Sequence, residues 1–302
     1  MDSKLVERYI PFIKDLANKY NYNSNITHLL YLIIPAFISK YSLSKEKLIL
    51  NTFDKTRIII SSKQDKNIQA YYTSIPSYQE NKITTTKYIV IQNYEKISLI
   101  QLLDNLVHEF NHAINSYNEE IKIKDNNLYL RTGLTYTSYS LQNNNIIPLK
   151  KDSSYILEEI LNTNQTEQII NIIKNYHDTT NPEIANTIYA INNETNSTYT
   201  SKSYYLENLL FQKILENKTF LSTLNNLRLT GDIDDIEQWF NNITNITNSY
   251  QKLNHYLENI MNLEKKLSTT IFFKSRLISK IKTNIHNILI IINIFNQNCN
   301  YK

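Results

Sequence analysis

Residues 108–112 read His-Glu-Phe-Asn-His and hold two of the chain's six histidines. Four positions apart on an α-helix, His108 and His112 project from one face, with β-carbons about 6 Å apart. Imidazole nitrogens so placed can converge on one divalent ion at about 2.0–2.1 Å from each, a distance that suits zinc. Glu109 follows His108 and is rotated about 100° round the helix axis. That displacement makes it a poor third ligand, but its carboxylate can reach a water on the ion. From there it can take a proton as the water attacks a carbonyl, and pass it to the leaving amine.

This chemistry requires a helix with a buried face. From Ser98 onward, Leu99, Leu102, Leu103, Leu106, Phe110, Ala113 and Ile114 recur at helical spacing. The spacing predicts a helix to about Tyr117, with Ser98 as N-cap. Three short β-branched and aromatic runs precede it, "RIIIS" (57–61), "IQAYYTS" (68–74) and "TKYIVIQN" (86–93). They read as strands of one sheet whose edge could hold an extended peptide. Further upstream, helices are expected over 3–20, over 26–41 with a kink or break near Pro35, and around 43–52. Downstream, a polar loop leads to a hairpin at 128–141. A second polar loop, 142–152, leads to a helix opening near Asp152 or Ser153. Helical periodicity then continues through 181–191, 203–227, 233–246, 249–266 and 270–296.

A catalytic zinc takes three protein ligands and leaves one position open. The metzincin continuation would need glycine at 115 and histidine at 118, where the chain has Asn115 and Asn118. His28, His177, His255 and His286 have no neighbours that mark them as ligands. The stretch "YILEEILNTNQTE" (155–167) offers Glu158 and Glu159 on a downstream helix. This arrangement resembles the thermolysin-like zinc metallopeptidases, the gluzincins, over about residues 57–175. In that family a second helix supplies a glutamate to the metal held by HExxH. The resemblance implies zinc as cofactor, His108, His112 and Glu159 as ligands, Glu109 as general base and a peptide or protein as substrate. Glu159 is favoured over Glu158 because Asn162 and Thr163 then follow at the positions where the family often carries short polar residues. One of these could bond a ligand imidazole. The gap between His112 and the glutamate exceeds that of compact family members, and the 128–141 hairpin could fill it. Position 105 is Asn where Val or Thr is frequent. Tyr136, Tyr139, Tyr155 and His177 have suitable chemistry for stabilising an oxyanion, and nothing in the sequence selects among them.

Composition narrows the remaining possibilities. With only Gly133 and Gly231 in 302 residues, no Gly-rich phosphate loop can be built. Cys299 stands alone, which excludes an internal disulfide or a Cys-rich zinc site. The net charge of +4 is spread along the chain, and the basic stretch Lys274–Lys282 reads as a solvated helix face rather than a nucleic-acid site. Neither "LLYLIIPAFI" (29–38) nor "ILIIINIF" (288–295) is long enough to span a bilayer, and the start carries no secretory signal, so a cytoplasmic location is expected. The fold expected is α+β: a zincin-like core, with a small mixed sheet packed on the HExxH helix, in residues 1–175, and a mainly helical subdomain in 176–302. A zincin-fold binding or regulatory protein without turnover is the alternative to a peptidase.

Overall fold

Asp2 starts the first helix by accepting a hydrogen bond from Lys4 N at 3.1 Å. That helix, α1 (Ser3–Tyr20), buries Val6, Tyr9, Ile13, Leu16 and Ala17 along one stripe and stops at Asn21 in the left-handed region. The computed structural model describes residues 1–62, 69–79, 82–116, 121–124, 127–142, 145–151, 155–177, 181–194, 212, 216–230, 233–269 and 273–299. The secondary structure is mixed α+β, with many helices and two small sheets. The chain divides into two compact units, each assembled from separated segments.

The first unit comprises Met1–Tyr117, Leu141–Ile147 and Asn162–Thr200. Its central helix is α2 (Ser24–Tyr41), buried continuously from Leu29 to Ile38. The sequence suggests a kink or break near Pro35; the helix is not broken there and runs on to Tyr41. Proline removes one N–H from the ladder. Packing of α1, α3 (Glu46–Lys55), α4 (Leu99–Asn115) and α6 (Pro182–Asn193) against α2 holds the helix together despite that loss. Phe53 of α3 bridges Phe37 of α2 and Phe110 of α4, with ring centroids 5.8 Å and 4.0 Å away. Among the described residues, no single helix is long and apolar enough to cross a membrane.

The strands of this unit are β1 (Thr56–Ser61), β2 (Ala70–Gln79) and β3 (Lys82–Gln92), in the order β1-β3-β2. The β1–β3 pair is parallel and β2–β3 antiparallel, so the sheet is mixed, as expected from the sequence. Gln92 N donates to Gln69 O at 2.7 Å, which assigns Gln69 and every second residue after it to the hydrogen-bonded pairs with β3. Tyr72, Ser74 and Pro76 therefore turn their main-chain groups away from β3. Pro76, which has no N–H to give, costs the ladder nothing there. Helix α4 packs on β2 and β3.

The second unit comprises Asn118–Ser140, Pro148–Leu161 and Ser201–Lys302. The second sheet, most of whose residues belong to this unit, has the order β4-β5-β6-β7, formed by Ile121–Lys124, Asn127–Thr132, Thr135–Gln142 and Asn145–Lys151. The hairpin expected at 128–141 is β5–β6, turning at Gly133–Leu134. Strands β4 and β7 lie where the sequence suggests polar loops. Both are edge strands of the sheet, where a continuous apolar pattern is not required. The helices are α7 (Lys218–Thr230), α8 (Ile233–Thr244), α9 (Ser249–Thr269) and α10 (Lys274–Cys299). Phe240, Tyr250, Leu257, Ile292 and Phe295 form their common core with Ile156 and Ile160 of α5 (Tyr155–Lys174). The expected helix starts at 152–153, 203 and 270 fall on residues outside those described.

Candidate metal centre

Helix α4 carries the histidine pair, and its first turn is closed on every side. Ser98 Oγ accepts from Gln101 N at 3.3 Å, while Gln101 Oε1 accepts from Ser98 N at 2.9 Å. The Glu194 carboxylate takes the next two amides, Leu99 N at 3.1 Å and Ile100 N at 3.0 Å. With these donors satisfied, the helix starts at a fixed residue. Its apolar stripe then fixes the roll that places His108 and His112 on one face.

The second element is α5. Asn162 Nδ2 donates to the main-chain oxygen of His108 at 2.9 Å, and Asn111 Nδ2 donates to that of Asn162 at 3.2 Å. This reciprocal amide pair joins the two helices at the level of the histidines. One turn further along, Asn115 Nδ2 lies 3.3 Å from Gln165 Oε1, and the Tyr41 hydroxyl lies 2.8 Å from Asn111 Oδ1 and 3.0 Å from Gln165 Oε1. Ser116 Oγ donates to His112 O at 2.7 Å. Asn111, Asn115, Ser116 and Asn162 have no exposed surface, so this polar seam is inside the protein. The sequence allows Asn162 or Thr163 to bond a ligand imidazole. Asn162 Nδ2 reaches the main-chain carbonyl of His108, and Thr163 Oγ1 is buried without a hydrogen-bond partner.

His108, His112 and Glu159 come together. One ligand atom from each lies within 4.8 Å of the other two, and the imidazole centroids are 4.9 Å apart with planes at 79°. Four ligands at zinc distances sit about 3.3 Å from one another in a tetrahedron. The three groups thus need inward shifts of at most about an ångström. Two imidazoles and one carboxylate form a donor set that a zinc ion accepts. His112 and Glu159 are buried and His108 is half-buried.

Glu158 points elsewhere. Its carboxylate accepts from Arg228 Nε at 2.9 Å and from Leu134 N at 3.0 Å, and it pairs with Arg228 Nη2. The sequence favours Glu159 over Glu158, and the structure places Glu159 beside the imidazoles. His28 lies 3.8 Å from Glu183, and His255 contacts Asn259. His177 and His286 are exposed. Of the four oxyanion candidates, the Tyr136 and Tyr155 side chains lie outside those described.

Glu109 is buried, and its Oε2 accepts from Tyr72 N at 2.6 Å. Tyr72 belongs to the outward-facing set on β2, so the sheet edge fixes the carboxylate next to the histidines. Asp104 lies one turn before His108 on the same stripe and is equally enclosed. Burial pushes its carboxyl up to about 7; His108 opposes the shift, and Glu167 and Glu109 add to it. The spacing that links His108 to His112 also links Asp104 to His108, so Asp104 was legible in the sequence. Tyr72 and Arg228 were not, because only tertiary contacts bring them here. Searches against protein-family models, curated proteins and solved structures returned no match for this chain.

Proposed function

We propose that the chain is a zinc-dependent metallopeptidase of the gluzincin kind, built on a zincin-like arrangement of mixed sheet, HExxH helix and glutamate helix. The observation that carries this reading is the grouping of His108, His112 and Glu159 within 4.8 Å, with Glu109 alongside. His108, His112 and Glu159 would hold the metal. Bound there, zinc would supply a Lewis acid for the scissile carbonyl and lower the pKa of a nucleophilic water. Glu109 takes the proton of the attacking water and delivers it to the departing amine. The Tyr72 amide holds that carboxylate in a single orientation, which limits the motion needed between the two transfers.

The outer edge of β2 supports a peptide as substrate. Main-chain groups of Ser74 and Pro76 face away from β3, next to the residue whose amide holds Glu109. An extended segment can add to such an edge by main-chain hydrogen bonds, and this brings a peptide bond past the carboxylate. Purified protein is expected to carry about one zinc per chain by mass spectrometry and to cleave a mixed peptide library. His112→Ala should lose the metal and the cleavage together. Full zinc content in a His108→Ala/His112→Ala protein would sink the proposal. Zinc at full occupancy with cleavage no greater than that of Glu109→Gln would instead point to a binding protein that keeps the site without turnover.

A further inference from the structure

We propose that Arg228 is a positioning residue for the metal centre, acting through Glu158 to set the roll of α5 and thereby present Glu159 to the histidines. The proposal rests on the metal-site reading above and adds a component to it. Neighbouring residues on a helix project about 100° apart, so fixing one carboxylate fixes the direction of the next. A glutamate carboxylate lies about 6 Å from its helix axis, so a roll of about 20° displaces it by roughly 2 Å. That displacement equals a whole metal–ligand bond. A helix that offers a ligand therefore needs its roll held more tightly than apolar packing alone holds it.

Glu158 adds to the hold that the Asn162–His108 and Asn111–Asn162 bonds already give α5. Its two oxygens meet Arg228 Nε and Nη2 and the Leu134 amide, all in the second unit. The side chains are 3% and 0% exposed. The cradle is closed by the β5–β6 turn, where Gly133 has φ +60°. A β-carbon there would stand 2.5 Å from Glu158 Cδ, so no other residue lets the turn approach this closely. Arg131 Nη1 ties the parts together by donating to Gly133 O at 2.7 Å and to Arg228 O at 3.0 Å. A buried ion pair is a poor means of adding stability, because apolar residues of similar volume often do as well or better. The two-point fit of guanidinium to carboxylate gives direction instead, which apolar contact lacks.

The test is a double-mutant cycle on the full chain, read as zinc affinity by chelator competition. Glu158→Gln with Arg228→Met removes the charges as a pair and keeps an acceptor for the Leu134 amide. It is expected to weaken zinc binding by about 10–100-fold, the range in which outer groups act on ligands. In a Glu159→Ala background the same pair of changes should alter zinc affinity by less than about threefold, because the residue through which Arg228 acts is gone. Arg228→Lys retains the charge but not the fork, and should fall between the two. It also supplies the comparison if the paired variant does not fold. An equal loss in both backgrounds would mean general loosening and would overturn the proposal, as would unchanged affinity in the paired variant. A wild-type chain that takes up no zinc would overturn the metal-site reading itself, and this inference with it.

Discussion

Asp104 gives the metal-free protein a pH dependence whose sign and size follow from its burial. Its carboxyl ordinarily titrates near 3.8 and is pushed up to about 7 in the folded chain, chiefly by burial. Between these values the folded state holds a proton that the unfolded state has released. Stability from this group is complete below about pH 4 and is lost as pH rises through 7. A shift of about 3 units at 1.36 kcal/mol each sets a ceiling near 4 kcal/mol, and relaxation around the charge lowers this to roughly 2–4 kcal/mol. Asp104→Asn removes the titration and keeps the shape. About two of the three units fall between pH 5 and pH 8, so urea unfolding of chelator-treated protein should show the variant gaining roughly 1–2.5 kcal/mol on wild type over that range. Any fixed cost of the amide cancels in that comparison. Glu167, also raised by burial, is present in both proteins and cancels too. A stability difference that stays constant from pH 5 to pH 8, or grows in favour of wild type, would refute the assignment of a protonated Asp104.

Other perturbations separate the roles assigned to neighbouring side chains. Glu109→Gln keeps an oxygen for the Tyr72 amide but cannot accept a proton. It should retain zinc while kcat for peptide cleavage falls by about 10²–10⁴-fold. Glu159→Ala should raise the zinc Kd at least tenfold with little change in unfolding midpoint, whereas Glu158→Ala should destabilise the fold by about 3–5 kcal/mol by leaving Arg228 buried and unpaired. Chemical denaturation alongside metal titration distinguishes the two. Gly133→Ala should cost at least 1–3 kcal/mol, since the added carbon meets Glu158 and the positive φ strains any side chain. Glu194→Gln should cost about 0.5–2 kcal/mol by weakening the bonds to Leu99 and Ile100, and hydrogen exchange should speed up first in the opening turn of α4.

The sequence by itself determined the parts whose causes are local. The α4 stripe, its Ser98 cap and the His108–His112 spacing depend on a 3.6-residue repeat and on side chains within one turn. The β-branched runs at 57–61 and 86–93 declared strands through alternation and composition. Glu159 is preferred in the sequence because Asn162 and Thr163 follow it, but Glu158 could not be set aside on that ground. Tertiary contacts separate the two. Arg228, 70 residues further along, captures Glu158 at the Gly133 turn and leaves Glu159 facing the imidazoles. The same holds for Tyr72, whose outward amide meets Glu109 because β2 pairs antiparallel with β3 in one register. It holds for β4 and β7 as well, where lysine-rich segments form strands because a neighbouring strand offers them hydrogen bonds. Periodicity and caps are written in adjacent residues. The roll of a helix and the partner of a buried charge are set by contacts between distant residues, which exist only once the chain has folded.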